Sequence, residues 1–259
     1  MVMSTQSQII PLYKPIGRTP LDTLAAFRKS DPAYANLAMS YAGRLDPAAD
    51  GVLLALCGDA VLEQEFMSNA DKAYDATVIF GIGTDSDDLL GIPHIAATNA
   101  TLEPEDIAGA LHSYVGPCTM SVPVYSSPRV QGRPLYWWAR NKRLEEIAIP
   151  KRTTTIHSIG AISFDDIRLY DIAAAAEQIA AMVSGDFRQN EIIGAWRGLG
   201  HSETVLPAVK FSVSCSSGTY IRSLARELGT RFGTVSFLYQ LTRTRVGDYA
   251  LERAMRVTH

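Results

Sequence analysis

Cysteine is scarce: Cys57, Cys118 and Cys215 are scattered and odd in number. They make neither a disulfide framework nor a metal-binding spacing, and they point to a reducing, cytoplasmic compartment. Five scattered histidines supply no metal site either. No stretch approaches the roughly 20 apolar residues of a membrane span. The start, MVMSTQSQIIPLYKP, lacks a basic n-region and a long apolar run, so no signal peptide is expected. Internal repeats and low-complexity tracts are missing. A basic excess is missing too: the formal net charge is −3, which taken alone speaks against a nucleic-acid partner.

What is there is a chain of 259 residues with 47% hydrophobic content, enough to build a sizeable core. Its charge is unevenly placed. From Glu63 to Asp106 ten acids face one base, Lys72. From Arg129 to Arg152 the order reverses: Arg129, Arg133, Arg140, Lys142, Arg143, Lys151 and Arg152 stand against Glu145 and Glu146. From Arg222 to Arg256 seven arginines stand against Glu227, Asp248 and Glu252. RNA binding depends on local phosphate contacts, not on total charge. Two basic segments that converge in the fold could therefore grip RNA, although ordinary solvated faces would give the same counts.

The periodicities predict a mixed α+β chain in which strands dominate, without the regular βαβ alternation of a doubly wound sheet. Strands are expected at Gln8–Tyr13, Tyr74–Phe80, Thr153–Phe164 and Lys210–Cys215, with a fully buried one at Asp50–Gly58. Thr19-Pro20-Leu21-Asp22 reads as a helix start, with Thr as N-cap and Pro in the first turn, the helix running to about Lys29. Further helices are expected at Ala60–Ser68, Pro104–Tyr114, Ile172–Met182 and Thr219–Leu228, the last capped by Gly229. Thr84–Gly91 reads as an acidic loop. Two separate strands close the chain, near Ser236–Thr242 and Arg245–Leu251.

Two segments stand out as chemistry. In Gly43-Arg44-Leu45-Asp46-Pro47, Pro47 biases Asp46 towards extended angles, so one carboxylate is presented from a constrained loop beside an apolar strand. A turn with no chemistry gives the same reading. In Cys215-Ser216-Ser217-Gly218-Thr219-Tyr220-Ile221-Arg222, an arginine sits in a helix's first turn, where the dipole favours anions. An anionic partner is implied, either a structural salt bridge or a catalytic carboxylate kept ionised. Trp137-Trp138 beside Tyr136, inside the basic segment, could stack bases or simply pack.

In order and spacing these segments resemble the TruB family of tRNA pseudouridine synthases. Lys14-Pro15-Ile16-Gly17-Arg18-Thr19 is similar to its N-terminal KPxGxT/S motif. Tyr41 to Leu53 is similar to the motif that carries the catalytic Asp, here Asp46, with Tyr41 where the family usually has His and with Arg44 in a GRLD form. Lys72-Ala73-Tyr74 resembles the KxY motif, Thr84 to Gly91 the TDTxD…G loop, and Gly218 to Leu224 the GTYIRSL stretch. Tyr125-Ser126, Gly132, Tyr136 and Ala139-Arg140 fall like the family's RNA-gripping thumb, and Leu241-Thr242-Arg243-Thr244 like its LxRT segment.

The resemblance implies a mixed, mostly antiparallel central sheet flanked by helices, the pseudouridine synthase fold. It implies one catalytic domain over 1–259, a thumb loop about 121–152, an insertion about 168–202 and no C-terminal PUA domain. The implied activity is conversion of a tRNA T-loop uridine, position 55, to pseudouridine, with base flipping. Asp46 is the implied catalytic carboxylate, Arg222 its partner, and Tyr74 the side chain against the base. Tyr41, Arg44, Leu241, Arg129, Arg133, Arg140, Lys151 and Arg152 are implied on the RNA side. Lys14, Gly43 and Pro47 are implied as support. The implied partner is the tRNA T-stem-loop, bound by a monomer without cofactor, metal or membrane. Alternatives are the same reaction at another site in tRNA or in ribosomal RNA, and a non-catalytic tRNA-binding or folding protein. A glycoside hydrolase would need a second carboxylate, and none is expected beside Asp46.

Overall fold

Strand-forming runs spread along the whole chain gather into one sheet. The computed structural model describes residues 7–95, 102–199 and 203–257. The N-terminal leader reading (residues 1–6), part of the whole-chain domain span and residues 200–202 of the 168–202 segment lie outside them. The elements run β1 (Gln8–Lys14), α1 (Pro20–Ser30), β2 (Met39–Ala42), β3 (Asp50–Cys57), α2 (Gln64–Ser68), β4 (Lys72–Phe80), β5 (Ile82–Thr84), β6 (Pro93–Ile95), α3 (Pro104–His112), β7 (Gly116–Ser121), β8 (Arg129–Val130), β9 (Arg133–Pro134), α4 (Leu135–Arg140), β10 (Lys151–Arg168), α5 (Leu169–Met182), α6 (Gln189–Leu199), β11 (Val205–Cys215), α7 (Ile221–Arg231), β12 (Ser236–Val246) and β13 (Tyr249–Ala250).

The main sheet has nine strands in the order β1-β3-β12-β4-β11-β10-β7, with β2 on β3 and β13 on β12. Every pairing is antiparallel except β3 with β12, which run parallel through Thr242↔Asp50 and Arg243↔Gly51. The expected mixed, mostly antiparallel sheet flanked by helices is the observed one. A side chain at Gly51 would run into the backbone of Arg243, so only glycine lets these two strands meet. The loop that precedes β3 is thereby placed beside β12.

Local rules account for several elements. Thr19 caps α1 in a full capping box with Asp22, and Pro20 opens it. β3 is buried along nearly its whole length, as its apolar run requires. Helix α7 lays Ile221, Leu224, Ala225 and Leu228 into the core that β4, β11 and β10 build with α3. A second core holds α5 and α6 against the sheet through Ile172, Ala176, Ile192 and Trp196.

Three expectations are corrected. Gly229 does not cap α7, which runs through it to Arg231. Its missing side chain instead lets Ser236 pack against the helix, and the left-handed residue beyond the end is Gly233, φ +66°. The two closing strands divide later than expected: β12 runs from Ser236 to Val246 through register irregularities at Leu238/Gln240 and Arg243/Arg245, and the second strand, β13, is only Tyr249–Ala250. The 168–202 segment carries a second helix, α6, in addition to the alanine-rich one.

Candidate active site

Asp46 lies in the loop joining β2 to β3, and two buried cations hold that loop from opposite flanks. Arg243, 1% exposed, reaches from β12. Its Nε donates to Val52 O at 2.7 Å, and its Nη1 and Nη2 donate to Arg44 O at 2.9 Å and Gly43 O at 3.2 Å. Lys14, fully buried at the end of β1, donates to Ala49 O at 2.5 Å, Arg18 O at 2.8 Å and Pro15 O at 2.9 Å. Burial pulls the Lys14 pKa down to about 7 against the opposing pull of Asp46 and Asp50. Three carbonyl acceptors match the three protons of an ammonium, which favours the charged form. Gly43 takes a left-handed φ of 71°, and Pro47 O accepts from Gly17 N at 2.8 Å. Lys14, Gly43 and Pro47 thus all make contacts within or against this loop. Arg243 has the same task and was not singled out from the sequence. Its only sequence signal is its place in the LxRT segment.

Arg222 enters from the first turn of α7. Its side chain is 5% exposed, and its Nε lies 2.9 Å from Asp46 Oδ2. The Nε–H is not aligned on that oxygen, so the contact is an ion pair more than a directed hydrogen bond. Nη1 donates to Ser86 O at 2.9 Å and to Tyr125 O at 3.3 Å. Burial opposes the charge on Arg222, but Asp46, Asp88 and Asp87 outweigh it and hold its pKa above the usual value.

A second carboxylate stands at the same guanidinium, against expectation. Asp88 Oδ2 is 3.6 Å from Arg222 Nε, and its Oδ1 accepts from Ser86 Oγ at 2.7 Å and Leu90 N at 3.0 Å. Burial pushes its pKa up to about 6, against the pull of Arg222. Asp87, its neighbour, pairs with Arg226 of α7. The sequence shows only an acidic loop here, because its arginine partners lie far along the chain.

Two cavities meet at Asp46. One, of about 240 Å³, is lined by Asp46, Tyr74, Tyr220, Arg222, Leu241 and Arg243 among others. The other, of about 380 Å³, is lined by Asp46, Asp88, Tyr125, Tyr136, Phe187 and Arg188 among others. Both walls mix apolar and aromatic side chains with many charged ones, arginines above all. Asp46 keeps 39% of its side chain exposed, while its arginine is sealed behind it. The carboxylate therefore faces the open space. Burial raises the pKa of the Tyr74 hydroxyl, with Arg243 pulling the other way, so a neutral phenol forms part of the wall at physiological pH.

Arg44 lines both cavities and donates to Ser127 Oγ at 2.7 Å. Tyr41 is not brought into either lining; it packs on the cluster of Leu12, Leu24 and Phe27. Arg129, Arg133, Arg140, Lys151 and Arg152 are all exposed. Arg140 lines the larger cavity and pairs with Asp186. The Arg133 guanidinium lies 4.9 Å from the Trp137 ring, and Trp138 is buried with its Nε1 on Val130 O. The Arg152 guanidinium lies close against Gly218 at the entry to α7. Among the described residues no cluster of His, Cys, Asp and Glu could hold a metal ion, and no helix is long and apolar enough to cross a membrane.

The fold is shared with chains of solved complexes. A chain of a Cbf5–Nop10–Gar1 complex superposes with a TM-score of 0.56 at 19% identity, covering 96% of this chain and 51% of that one. An H/ACA ribonucleoprotein bound to a substrate RNA containing 2′-deoxyuridine gives 0.55 at 18%, covering 96% and 50%. This chain thus spans about half the length of those two. Residues 34–178 match the family described as TruB family pseudouridylate synthase (N terminal domain). The tRNA pseudouridine synthase B of Caldicellulosiruptor saccharolyticus is 31% identical over 95% of this chain and 69% of its own length. That of Staphylococcus aureus strain MSSA476 is 30% identical over 95% and 68%.

The class these findings define is a pseudouridine synthase domain of mixed α+β architecture. The chain belongs to the TruB family of pseudouridylate synthases.

Proposed function

We propose that the protein isomerises the T-loop uridine of tRNA, position 55, to pseudouridine, with Asp46 as the catalytic carboxylate. The observation that carries this is the half-open Asp46, 2.9 Å from a buried Arg222, at the junction of two cavities. The reaction breaks the bond from uracil N1 to ribose C1′. The freed base turns, C5 bonds to C1′, the C5 proton is lost and N1 gains one. Nothing is oxidised and no group leaves for a second molecule, so the chemistry calls for no cofactor. Asp46 meets the ribosyl carbon as the base departs. Arg222 keeps it ionised, and Tyr74 and Leu241 wall the base. The uridine must first leave its stack, at a cost of a few kcal/mol. Contacts from the thumb, residues 121–152, offset that cost, with Arg129, Arg133, Lys151 and Arg152 on phosphates and Arg140 at the mouth. The enzyme acts as a monomer in the cytoplasm.

A T-stem-loop RNA tritiated at uridine C5 tests this. The protein should release tritium, and Asp46→Ala should release none while binding the RNA within about threefold of the parent. Turnover by that variant would overturn the assignment. A second reading, the same reaction at another uridine, is favoured by Arg44, which lines both cavities. Modification mapping would support it if other uridines alone were converted.

A further inference from the structure

The hairpin of α5 and α6 belongs to the segment that reads from the sequence as an insertion without a role. Its contacts give it one. Arg188, in the turn between the helices, sends a bidentate pair to Asp85: Nη1 to Oδ2 at 2.7 Å and Nη2 to Oδ1 at 3.1 Å. The same guanidinium lies 4.0 Å from the centroid of the Tyr125 ring. Its side chain is 11% exposed, and its backbone takes a left-handed φ of 61°. The turn is braced locally, since Gln189 Nε2 donates to Val183 O at 3.0 Å and Gly185 O at 2.6 Å. A non-glycine residue held in that conformation, with a bidentate partner and a stacked ring, is a built feature.

From further along the hairpin, Trp196 of α6 is fully buried and donates its Nε1 to Gly91 O at 3.1 Å. Asp85 and Gly91 lie near the two ends of the acidic loop, Thr84–Gly91. Between them lies Asp88, the second carboxylate at Arg222. The loop's own bonds tie back to the gripped residues. Ile92 N donates to Asp85 Oδ1 at 2.8 Å, and Leu90 N to Asp88 Oδ1 at 3.0 Å. Arg188 also lines the larger cavity beside Asp46.

We propose that the α5–α6 hairpin is a clamp on the acidic loop and that Arg188 is a positioning residue for the reaction. It fixes Asp85 and Tyr125, and through the loop it sets where Asp88 stands relative to Arg222 and Asp46. This rests on the functional reading above for its kinetic part and on geometry alone for its structural part. Small misplacements of reacting groups cost up to about a hundredfold in rate, so a loosened loop should show in turnover and not in RNA affinity.

The test uses Arg188→Ala, Arg188→Lys and Trp196→Phe in the full chain, with two readouts. Amide hydrogen exchange without RNA should show faster exchange at Leu90 and Ile92 in Arg188→Ala, with β4 and α7 unchanged. Single-turnover tritium release at saturating T-stem-loop RNA should fall about tenfold or more, with the RNA Kd within threefold. Arg188→Lys should recover part of the rate. Trp196→Phe, which removes the hydrogen bond to Gly91 together with part of the buried ring, should loosen the same amides. Unchanged exchange at Leu90 and Ile92 overturns the clamp whatever the RNA. Loosened exchange with parental turnover overturns the positioning role. A rate loss matched by equal loss of RNA binding also overturns it, because Arg188 would then be an RNA contact. A parent chain inactive on this RNA counts against the functional reading, and the clamp is then decided by the exchange data.

Discussion

One guanidinium serving two carboxylates makes their charges interdependent. Arg222 sits 2.9 Å from Asp46 and 3.6 Å from Asp88. Asp88 is the buried partner, and burial raises its pKa from 3.8 to about 6 although Arg222 opposes this. The folded chain therefore binds this proton more tightly than the unfolded chain does. By linkage, the stability due to this group is fully present below the unfolded value and is lost as pH rises from about 4 to about 6. Asp88→Asn, which cannot ionise, should lack that downward contribution. Urea unfolding of parent and variant between pH 4 and 7 checks this: the difference, variant minus parent, should grow with pH across the window. A constant difference would mean that Asp88 is already ionised there. Asp46 and Arg222 were legible in the sequence because each carries local grammar, a Pro-biased loop and a helix first turn. Asp88, Arg243 and Arg188 were not. A buried charge and an exposed one look alike in a sequence until the partner's position is known, and their partners lie far along the chain: Arg222 for Asp88, Gly43 and Arg44 for Arg243, Asp85 for Arg188.

At the scale of elements, the readable features were those set by neighbours in the chain. The α1 capping box, the apolar run of β3 and the alanine-rich α5 all formed as their residues dictate. What failed depended on distant pairing. β12 continues past its irregularities because β4 pairs along it, from Ser236↔Phe80 to Val246↔Lys72. Helix α6 carries two glycines, Gly194 and Gly198, that weaken its helical signal, and its burial comes from Ile192 and Trp196 meeting the second core. Gly229 looked like a cap since glycine commonly ends helices. In the fold it is a contact point, and a Cβ there would fall 2.8 Å from the backbone nitrogen of Ser236. The hydroxyl of Ser236 already donates to Ala225 O at 2.5 Å, so it has little freedom to yield. Gly229→Ala should therefore destabilise the protein by roughly 1–3 kcal/mol through overpacking, exceeding the gain of about 1 kcal/mol in helix propensity. A higher urea midpoint in the variant would show that β12 and α7 have slack at this contact.

Across the whole molecule, the sum of charges conceals how they are spent. Of the acidic stretch, Asp85, Asp87 and Asp88 are answered internally by Arg188, Arg226 and Arg222. Of the second basic stretch, Arg222 and Arg243 are buried and Arg226 is paired, so that stretch presents less positive surface than its count suggests. The first stretch differs: all seven of its bases are exposed, and among the described residues only Arg140 and Arg143 have carboxylate partners, Asp186 and Glu146. Residues 129–152 therefore present exposed positive charge on a chain whose net charge is −3. Each phosphate contact releases counterions and steepens the salt dependence of binding by about 0.7–0.9 in the log–log slope. Replacing Arg129, Arg133, Lys151 and Arg152 together by Gln should flatten the slope for T-stem-loop RNA by about 3. Replacing Arg231 and Arg253, exposed members of the second stretch, should leave it unchanged. Fluorescence anisotropy across a salt series measures both. Equal flattening by the two sets would place the RNA across both stretches and return the weight to their simple counts. An unchanged slope in the first set would remove the thumb from the RNA-binding face.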